Sequence, residues 1–263
     1  EIAAAVTAAR AAQRDWRNQP ISARAELCHA FVDAMLSMED EIVPELARQM
    51  GRPVRYGAGE LRGFAERARH MIAIADSALS KITPDEIVGF DRYITREPLG
   101  VVLTVAPWNY PYLTAVNSIV PALLAGNTVV LKHATQTMLC AERLASAFAS
   151  AGLPEGVFQY VHASHQSVGR MIQDSRVNFV VFTGSVDGGK AMEQFAAGRF
   201  IGVGTELGGK DPSYVRADAD LAFAIAENVD GAFFNSGQSC CAIERIYVHE
   251  SQFDEFVDGF VNL

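Results

Sequence analysis

The sequence predicts an α/β fold, in which a doubly wound parallel sheet is followed by the start of a second α/β domain. Between residues 99 and 206, short apolar runs alternate with segments whose apolar residues recur every three or four positions. The apolar runs are nearly continuous, which is typical of parallel strands that helices cover on both faces. A second group of elements begins near Glu206, so we place a domain boundary close to residue 207.

The predicted elements follow one another in a regular order. Residues 1–81 have helical periodicity, and residues 82–98 change to a β-like alternation. The next domain, 99–206, has predicted strands at 101–105, 127–131, 157–161 and 179–182, and predicted helices at 113–124, 138–151, 168–173 and 188–197. Residues 207–263 have a predicted helix at 222–234 and a strand at 246–248. The chain begins and ends inside such patterns, so we expect it to be cut at both ends.

Composition and charge argue against several classes of partner. The net charge is −9 and no basic run interleaves with aromatic residues, so neither nucleic acid nor an anionic membrane surface is an expected partner. No apolar run is long enough to span a bilayer. The four cysteines show no C-x-x-C spacing, so we expect no disulfide framework, no metal site and a reduced, cytoplasmic protein.

Cys240 is the first candidate for chemistry. It follows a predicted helix and a glycine-containing turn, and such a position can expose a thiol and lower its pKa, which makes it nucleophilic. Alternatively, a cysteine among Phe and Ala residues is a small buried hydrophobe, which is the commoner situation for a cysteine considered alone.

Glu206, Gly184 and Ser185 are further candidates. Glu206 ends an apolar and glycine-rich stretch, where burial can raise the pKa of its carboxyl group towards that of a general base; a capped turn or a surface ion pair is the commoner situation for an acid at such a position. Gly184 and Ser185 follow a strand and precede a helix, so backbone N–H groups there can hold a phosphate. Many α/β proteins use such a turn only for close packing, and the spacing is not G-x-G-x-x-G.

The segment from Pro107 to Pro111 directly follows the first predicted strand. Its two prolines bracket Trp108 and Asn109, which fixes an amide donor at the carboxyl end of the strand. Such an amide can complete an oxyanion hole, or it can bond its own backbone in a turn. Doubly wound sheets bind their ligands at the carboxyl ends of the strands, so we expect the candidates of this domain at that edge.

In combination, these motifs resemble the aldehyde dehydrogenase superfamily over nearly the whole chain. They occur in the family's order, as Gly51-Arg52-Pro53, Gly59-Glu60, Glu97-Pro98-Leu99-Gly100-Val101, Pro107-Trp108-Asn109-Tyr110-Pro111, Pro121-Ala122-Leu123-Leu124-Ala125-Gly126-Asn127, Phe182-Thr183-Gly184-Ser185, Glu206-Leu207-Gly208-Gly209-Lys210 and Gly237-Gln238-Ser239-Cys240. The last two are similar to the family's active-site signatures. The resemblance implies a Rossmann-like cofactor domain over residues 99–206 and the start of the catalytic domain over 207–263.

The resemblance implies an NAD(P)-dependent oxidation of an aldehyde to a carboxylic acid. Cys240, not Cys241, takes the nucleophile position, because the family's cysteine lies two residues after the glutamine. Asn109 and the backbone N–H of Cys240 would stabilise the oxyanion, and Glu206 would activate the water that hydrolyses a thioester. A homodimer or homotetramer is also implied, assembled through the β segment near Tyr93.

The same resemblance implies a set of cofactor-binding positions. They are Trp108, Lys132, Thr135, Gly184, Ser185, Gly189 and Leu207. The expected cofactor is NAD, and NADP stays open, because Thr135 stands where many members have an acid that binds both adenosine-ribose hydroxyls. Without that carboxylate, nothing at this position repels a 2′-phosphate.

Other features depart from the family or leave the function open. Ser118 replaces a lysine that many members have, and the loop 162–166 replaces a Pro-Gly-rich turn. Tyr112, Phe234 and Ser239 suggest an apolar or aromatic aldehyde. Two alternatives are a CoA-acylating aldehyde dehydrogenase, whose members typically lack the glutamate found here, and a silent scaffold protein of the same fold. We expect the 263-residue chain to be inactive in isolation.

Overall fold

Five short strands form the sheet of the first part of the chain, in a computed structural model that describes residues 2–263. They are β1 (Val101–Val105), β2 (Thr128–Lys132), β3 (Phe158–Tyr160), β4 (Val177–Gly184) and β5 (Gly202–Leu207), in the spatial order β3-β2-β1-β4-β5. β1 pairs in parallel with β2 and β4, and β2 pairs in parallel with β3. Every residue of β1 and β2 is buried, because helices cover both faces of the sheet. The predicted doubly wound α/β fold is therefore confirmed.

Eight helices accompany this sheet in the described part of the chain. They are α1 (Ile2–Trp16), α2 (Ile21–Ser37), α3 (Glu39–Met50), α4 (Gly57–Leu79), α5 (Pro111–Leu124), α6 (Met138–Ser150), α7 (His165–Gln173) and α8 (Val186–Ala196). The last two begin a few residues earlier than their apolar periodicity predicts. Ser164 and Ser185 explain the shift, since their side chains accept hydrogen bonds from the N–H groups of Ser167 and Gly188 as N-caps.

The β-like segment 82–98 does not form the strand that its alternation predicts. Within the described residues it makes only two isolated bridges, Ile82 with Ile94 and Ile87 with Phe90. Its large apolar side chains are exposed, for example Val88 at 93% and Phe90 at 70%. A strand needs a neighbour that pairs with its backbone along its length, and alternation alone does not supply that neighbour.

The main hydrophobic core packs helices α2 to α6 against the sheet. Phe31 stacks on Phe148 with ring centroids 3.6 Å apart, and Phe148 also contacts Phe158. Tyr112, from the first turn of α5, lies in this core and is fully buried. The core therefore fixes the beginning of α5, which follows the carboxyl end of β1.

Contacts divide the chain into two compact units, Glu1–Glu206 and Leu207–Leu263. The second unit pairs β6 (Asp211–Val215) in parallel with β7 (Ile243–Val248), connected through α9 (Leu221–Phe233), and it ends in α10 (Phe253–Asn262). The sequence predicts α9 and β7 but not β6, whose Asp211 and Pro212 interrupt any apolar run. No helix within residues 2–263 combines the length and the apolar character that crossing a membrane requires.

Candidate active site

Three neighbouring strands of the first unit have their carboxyl ends at the same edge of the sheet. Val105 of β1 pairs with Lys132 of β2 on one side and with Phe182 of β4 on the other. The chain runs from β1 to β2 and β3 on one side and then crosses to β4 on the other side of β1, so this is the topological switch point at which doubly wound sheets bind ligands. The edge receives several predicted site residues, namely Trp108 and Asn109 after β1, Lys132 and Thr135 at the end of β2, and Gly184 and Ser185 at the end of β4.

The loop after β1 presents its side chains at this edge. Trp108 is 36% exposed, while Asn109 and Tyr110 are half-buried. Pro111 opens α5 at the first helical position, where its missing N–H costs nothing. The Tyr110 carbonyl accepts a hydrogen bond from the Thr114 N–H at 3.0 Å, which joins the loop to the first turn of the helix.

The end of β2 carries two buried basic side chains. Lys132 is 5% exposed, and burial lowers its pKa. His133 is 2% exposed, and burial lowers its pKa to about 4. The neutral ring donates from Nε2 to the Pro111 carbonyl at 3.1 Å, and its Nδ1 accepts from the Thr137 hydroxyl at 3.1 Å. The sequence does not predict this role of His133, because nothing in the local pattern shows which distant carbonyl the ring reaches.

The turn between β4 and α8 shows close packing of its glycines, while their contact with a phosphate stays a prediction. A Cβ atom at Gly184 would lie 2.6 Å from the Phe182 ring, and one at Gly188 would lie 2.5 Å from it, so close packing explains these glycines. Ser185 caps α8, whose N-terminus presents the positive end of its dipole. Gly189 is on the buried face of α8, and its predicted contact with a cofactor stays a prediction. Thr135 is exposed in a short 3-10 turn.

Glu206 is exposed near the end of β5, and Leu207 beside it is half-buried. Of the two interpretations of Glu206, burial by its apolar and glycine-rich neighbours is therefore wrong, and the exposed position agrees with the alternative. Thr205 and Glu206 are consecutive and point to opposite faces of β5, and both are exposed, so neither face of the strand is covered at this position.

Cys240 lies in the connection between α9 and β7 of the second unit. Three consecutive left-handed residues precede it, Asn235 (φ 52°), Ser236 (φ 59°) and Gly237 (φ 73°). For non-glycine residues this conformation costs about 1–2 kcal/mol each, and such strain concentrates at functional sites. The buried Asn235 stabilises the turn by donating from Nδ2 to the Gln238 carbonyl at 3.2 Å.

The Cys240 backbone is also joined to the other active-site motif. The Gly209 N–H donates to the Cys240 carbonyl at 3.1 Å. A Cβ atom at Gly209 would lie 2.9 Å from Asp211 Oδ1, so a larger residue here would require the Asp211 side chain to move, and 3.4 Å from that carbonyl, which is an ordinary contact. Gly209, which belongs to the same motif as Glu206, thus holds the backbone of the candidate nucleophile.

Exposure and pKa distinguish Cys240 from the buried cysteines. Cys240 and Cys241 are exposed, which favours the reactive interpretation of Cys240 over the buried hydrophobe, while burial raises the pKa values of Cys28 and Cys140 to about 12. The expected lowering of the Cys240 pKa is wrong, because partial burial and then the neighbouring Cys241 raise it above 9.0. The neighbours that act on this thiol include Cys241 and Asp211, and both raise its pKa.

Two other expectations concern the substrate and metals. Tyr112 is fully buried in the core of the first unit, so it does not line a substrate tunnel as the sequence suggests. Phe234 and Ser239 belong to the second unit, where Phe234 is 48% exposed. Across residues 2–263, no cluster of three or more His, Cys, Asp or Glu side chains forms a metal site.

Known proteins match the chain over nearly its whole length. The curated aldehyde dehydrogenase of Paenarthrobacter nicotinovorans is 39% identical over 265 residues, which cover 99% of this chain and 58% of that protein. The succinate semialdehyde dehydrogenase Sad of Escherichia coli K12, described as using NAD(P)+, is 35% identical over 261 residues, or 99% of this chain and 56% of that protein. The chain thus spans a little over half the length of these relatives.

Solved structures and a family profile agree with these matches. The NADP-dependent glyceraldehyde-3-phosphate dehydrogenase of Bacillus halodurans C-125, in complex with NADP, superposes with a TM-score of 0.92 at 34% identity, covering 99% of this chain and 56% of that one. A putative aldehyde dehydrogenase of Burkholderia cenocepacia superposes with a TM-score of 0.95 at 32% identity, covering 99% and 54%. The profile of the aldehyde dehydrogenase family matches residues 1–263. The chain therefore belongs to the aldehyde dehydrogenase family.

Proposed function

We propose that the protein oxidises an aldehyde to a carboxylic acid with NAD(P)+, with Cys240 as the nucleophile. The observation that carries this proposal is the exposed Cys240 thiol, which follows a strained turn. The Cys240 carbonyl also accepts a hydrogen bond from Gly209, which belongs to the same motif as Glu206. The relatives' names include succinate semialdehyde and glyceraldehyde 3-phosphate as substrates, so a small aldehyde is the proposed substrate class.

Three groups of this chain would carry the chemistry. The Cys240 thiolate attacks the carbonyl carbon, a C–S bond forms, and the electron pair of the C=O bond moves to oxygen. The Asn109 amide and the Cys240 N–H donate hydrogen bonds to that oxyanion. Bound NAD(P)+ would supply the hydride acceptor that the conversion of the thiohemiacetal into a thioester requires. Glu206 takes a proton from a water molecule, whose oxygen bonds to the thioester carbon; the C–S bond then breaks, its electron pair returns to the Cys240 sulfur, and the acid dissociates.

The residues at the carboxyl edge of the sheet fit an anionic dinucleotide. Lys132 and the N-terminus of α8 at Ser185 supply positive charge and N–H donors at the ends of β2 and β4. Trp108, Gly189 and Leu207 are the further proposed contacts. Thr135 is exposed and carries no charge, so it does not repel a 2′-phosphate. We therefore propose that both NAD+ and NADP+ bind.

The test uses the protein expressed from its complete gene. Formation of NADH or NADPH is followed at roughly 340 nm with a panel of aldehydes, for the wild type, Cys240→Ser, Glu206→Gln and the matched control Cys241→Ser. We expect Cys240→Ser to lose turnover and Cys241→Ser to keep most of it. Glu206→Gln should give a burst with little steady turnover, because the thioester forms but hydrolyses slowly.

Other results would select the alternatives. Steady turnover that appears only when CoA is added, with Glu206→Gln behaving like the wild type, would indicate CoA acylation. The absence of reduction with every aldehyde, together with no selective labelling of Cys240, would indicate a silent scaffold and contradict the proposal.

A further inference from the structure

The first turn of α5 is capped by a side chain from another helix. Pro111 has no N–H, and the next two N–H groups, of Tyr112 and Leu113, both donate to Oε1 of Glu60 in α4 at 3.1 Å. The side chain of the N-cap residue Tyr110 does not cap the helix itself. A carboxylate at this place satisfies helix N–H groups that the helix cannot satisfy itself, and it also interacts favourably with the helix dipole.

Arg52 holds that carboxylate in place. Its Nη1 lies 2.7 Å from Glu60 Oε2, and the side chains of Arg52 and Glu60 are 4% and 0% exposed. Burial raises the pKa of Glu60. Of the contacts that lower this pKa, the charge of Arg52 has the largest effect. The Arg52 guanidinium also lies over the Tyr110 ring, 5.1 Å from its centroid. The pair therefore contacts the chain on both sides of Pro111.

These contacts surround the loop that carries Asn109. His133 adds a third anchor from β2, because its Nε2 donates to the Pro111 carbonyl at 3.1 Å. Asn109 is two residues before Pro111, and the proline ring restricts the backbone between them. A displacement of the first turn of α5 would therefore displace the Asn109 amide as well.

We propose that Glu60, held by Arg52, is a positioning residue for Asn109 and thereby for the oxyanion of the reaction. This inference rests on the proposed function. Its physical basis is that a hydrogen-bond donor stabilises an oxyanion only from a narrow range of positions, and a displacement of about 1 Å can cost roughly 100-fold in rate. Glu60 itself touches neither substrate nor cofactor in this role.

A double-mutant cycle in the protein expressed from its complete gene tests the inference. Glu60→Gln preserves the shape of the side chain, but its NH2 group must face either Arg52 or the helix N–H groups, so one contact is lost. The single-turnover rate of NAD(P)H formation and the KM for the aldehyde are measured for Glu60→Gln, Asn109→Ala and the double variant. Glu45→Gln is the matched control, since it removes an ion pair with Arg143 between α3 and α6.

We expect Asn109→Ala to lower the single-turnover rate by roughly 100-fold and Glu60→Gln to lower it by about 10-fold, with KM changed less than about twofold. The double variant should be no slower than Asn109→Ala, because Glu60 acts through that amide. Glu45→Gln should retain the wild-type rate. A merely structural role of Glu60 would lower the amount of folded protein without producing this non-additivity.

The remaining outcomes contradict the inference in distinguishable ways. Additive losses in the double variant, or a wild-type rate for Glu60→Gln, would overturn the positioning role and leave the proposed function intact. A wild-type rate for Asn109→Ala would overturn the oxyanion role and the positioning role together. If Glu60→Gln fails to fold, Glu60→Asp takes its place in the cycle, because it keeps the charge and withdraws the carboxylate from the helix N–H groups; additivity or an unchanged rate there overturns the inference equally.

Discussion

The cysteine side chains occupy two kinds of environment. Cys28 and Cys140 are buried in the first unit, where burial raises their pKa values to about 12 and makes them unreactive. Cys240 and Cys241 are exposed in the second unit. The pKa of Cys240 is raised as well, so its advantage over Cys28 and Cys140 is that a reagent can reach it.

The raised pKa of Cys240 predicts how its alkylation depends on pH. Because the pKa lies above the ordinary value of 9.0, the thiolate fraction is small at neutral pH and the rate should keep rising beyond pH 9.0. Iodoacetamide labelling of the folded protein, quantified by peptide mass spectrometry, measures this rate at each pH. Cys28 and Cys140 serve as internal controls and should stay unlabelled until the protein unfolds. A rate that levels off below pH 8 would show that another group stabilises the thiolate.

His133 predicts a loss of stability in mild acid. Its folded-state pKa of about 4 lies below the unfolded value of 6.5, so the unfolded chain takes up the proton first as the pH falls. The stability from the neutral ring is complete above pH 6.5 and decreases towards pH 4, by about 3 kcal/mol in total. His133→Gln retains an N–H donor but does not titrate, so thermal unfolding across this range should show a steeper decline in the wild type. Parallel declines of the two proteins would contradict the prediction.

At the scale of elements, the turn between α9 and β7 combines strain with precise placement. Its three left-handed residues reverse the chain after the helix and lead into Cys240, and one of the three, Gly237, has no side chain to strain. The sequence predicts a glycine-containing turn here, but not that Asn235 and Ser236 share the left-handed conformation. Only a surrounding structure that opposes relaxation keeps two such residues in this state.

This turn predicts opposite effects for two small substitutions. Gly237→Ala introduces a Cβ atom 3.3 Å from the Ala232 carbonyl at φ 73°, and it should destabilise the protein by about 1–2 kcal/mol. Ser236→Gly relieves a left-handed residue and should be neutral or slightly stabilising, since the greater freedom of unfolded glycine offsets part of the gain. Thermal unfolding of both variants measures the difference. Equal destabilisation would indicate that the turn is not strained.

At the scale of the whole molecule, the segment 82–94 presents an apolar surface to solvent. Its exposed large side chains are Ile82, Ile87, Val88, Phe90, Tyr93 and Ile94. Apolar groups clustered in this way on one segment mark an interaction surface more often than isolated exposed residues do. Assembly through this segment with a second copy of the chain stays a prediction, as the family resemblance implies it.

Two substitutions in this segment test that assembly. Val88 and Phe90 are exposed, so Val88→Asp and Phe90→Asp should leave folding unchanged while placing charge in a contact between copies. We expect both variants to have a lower mass than the wild type in size-exclusion chromatography with light scattering. Val54→Asp, at an exposed position outside the segment, should keep the wild-type mass. A monomeric wild type, or variants of unchanged mass, would contradict the prediction.

The sequence by itself determines the fold class, the order of the elements over residues 99–206 and the family. Burial of near-continuous apolar runs is a local pattern, so β1 to β4 and their helices follow from it within a few residues. The sequence also selects Cys240 over Cys241 as the candidate nucleophile, because this choice depends only on the spacing from the glutamine of the motif. The glycine-rich β5 and the proline-containing β6 have no such pattern, and only their pairing shows them to be strands.

Tertiary structure alone decides the environment of each candidate group. Exposure of Glu206, burial of Tyr112 and the raised pKa of Cys240 all depend on which atoms come near, and residues close in sequence do not reveal this. The Glu60 carboxylate reaches N–H groups 52 and 53 positions away along the chain. Local periodicity carries no information at that distance, so the support of the Asn109 loop becomes visible only when the helices are packed together.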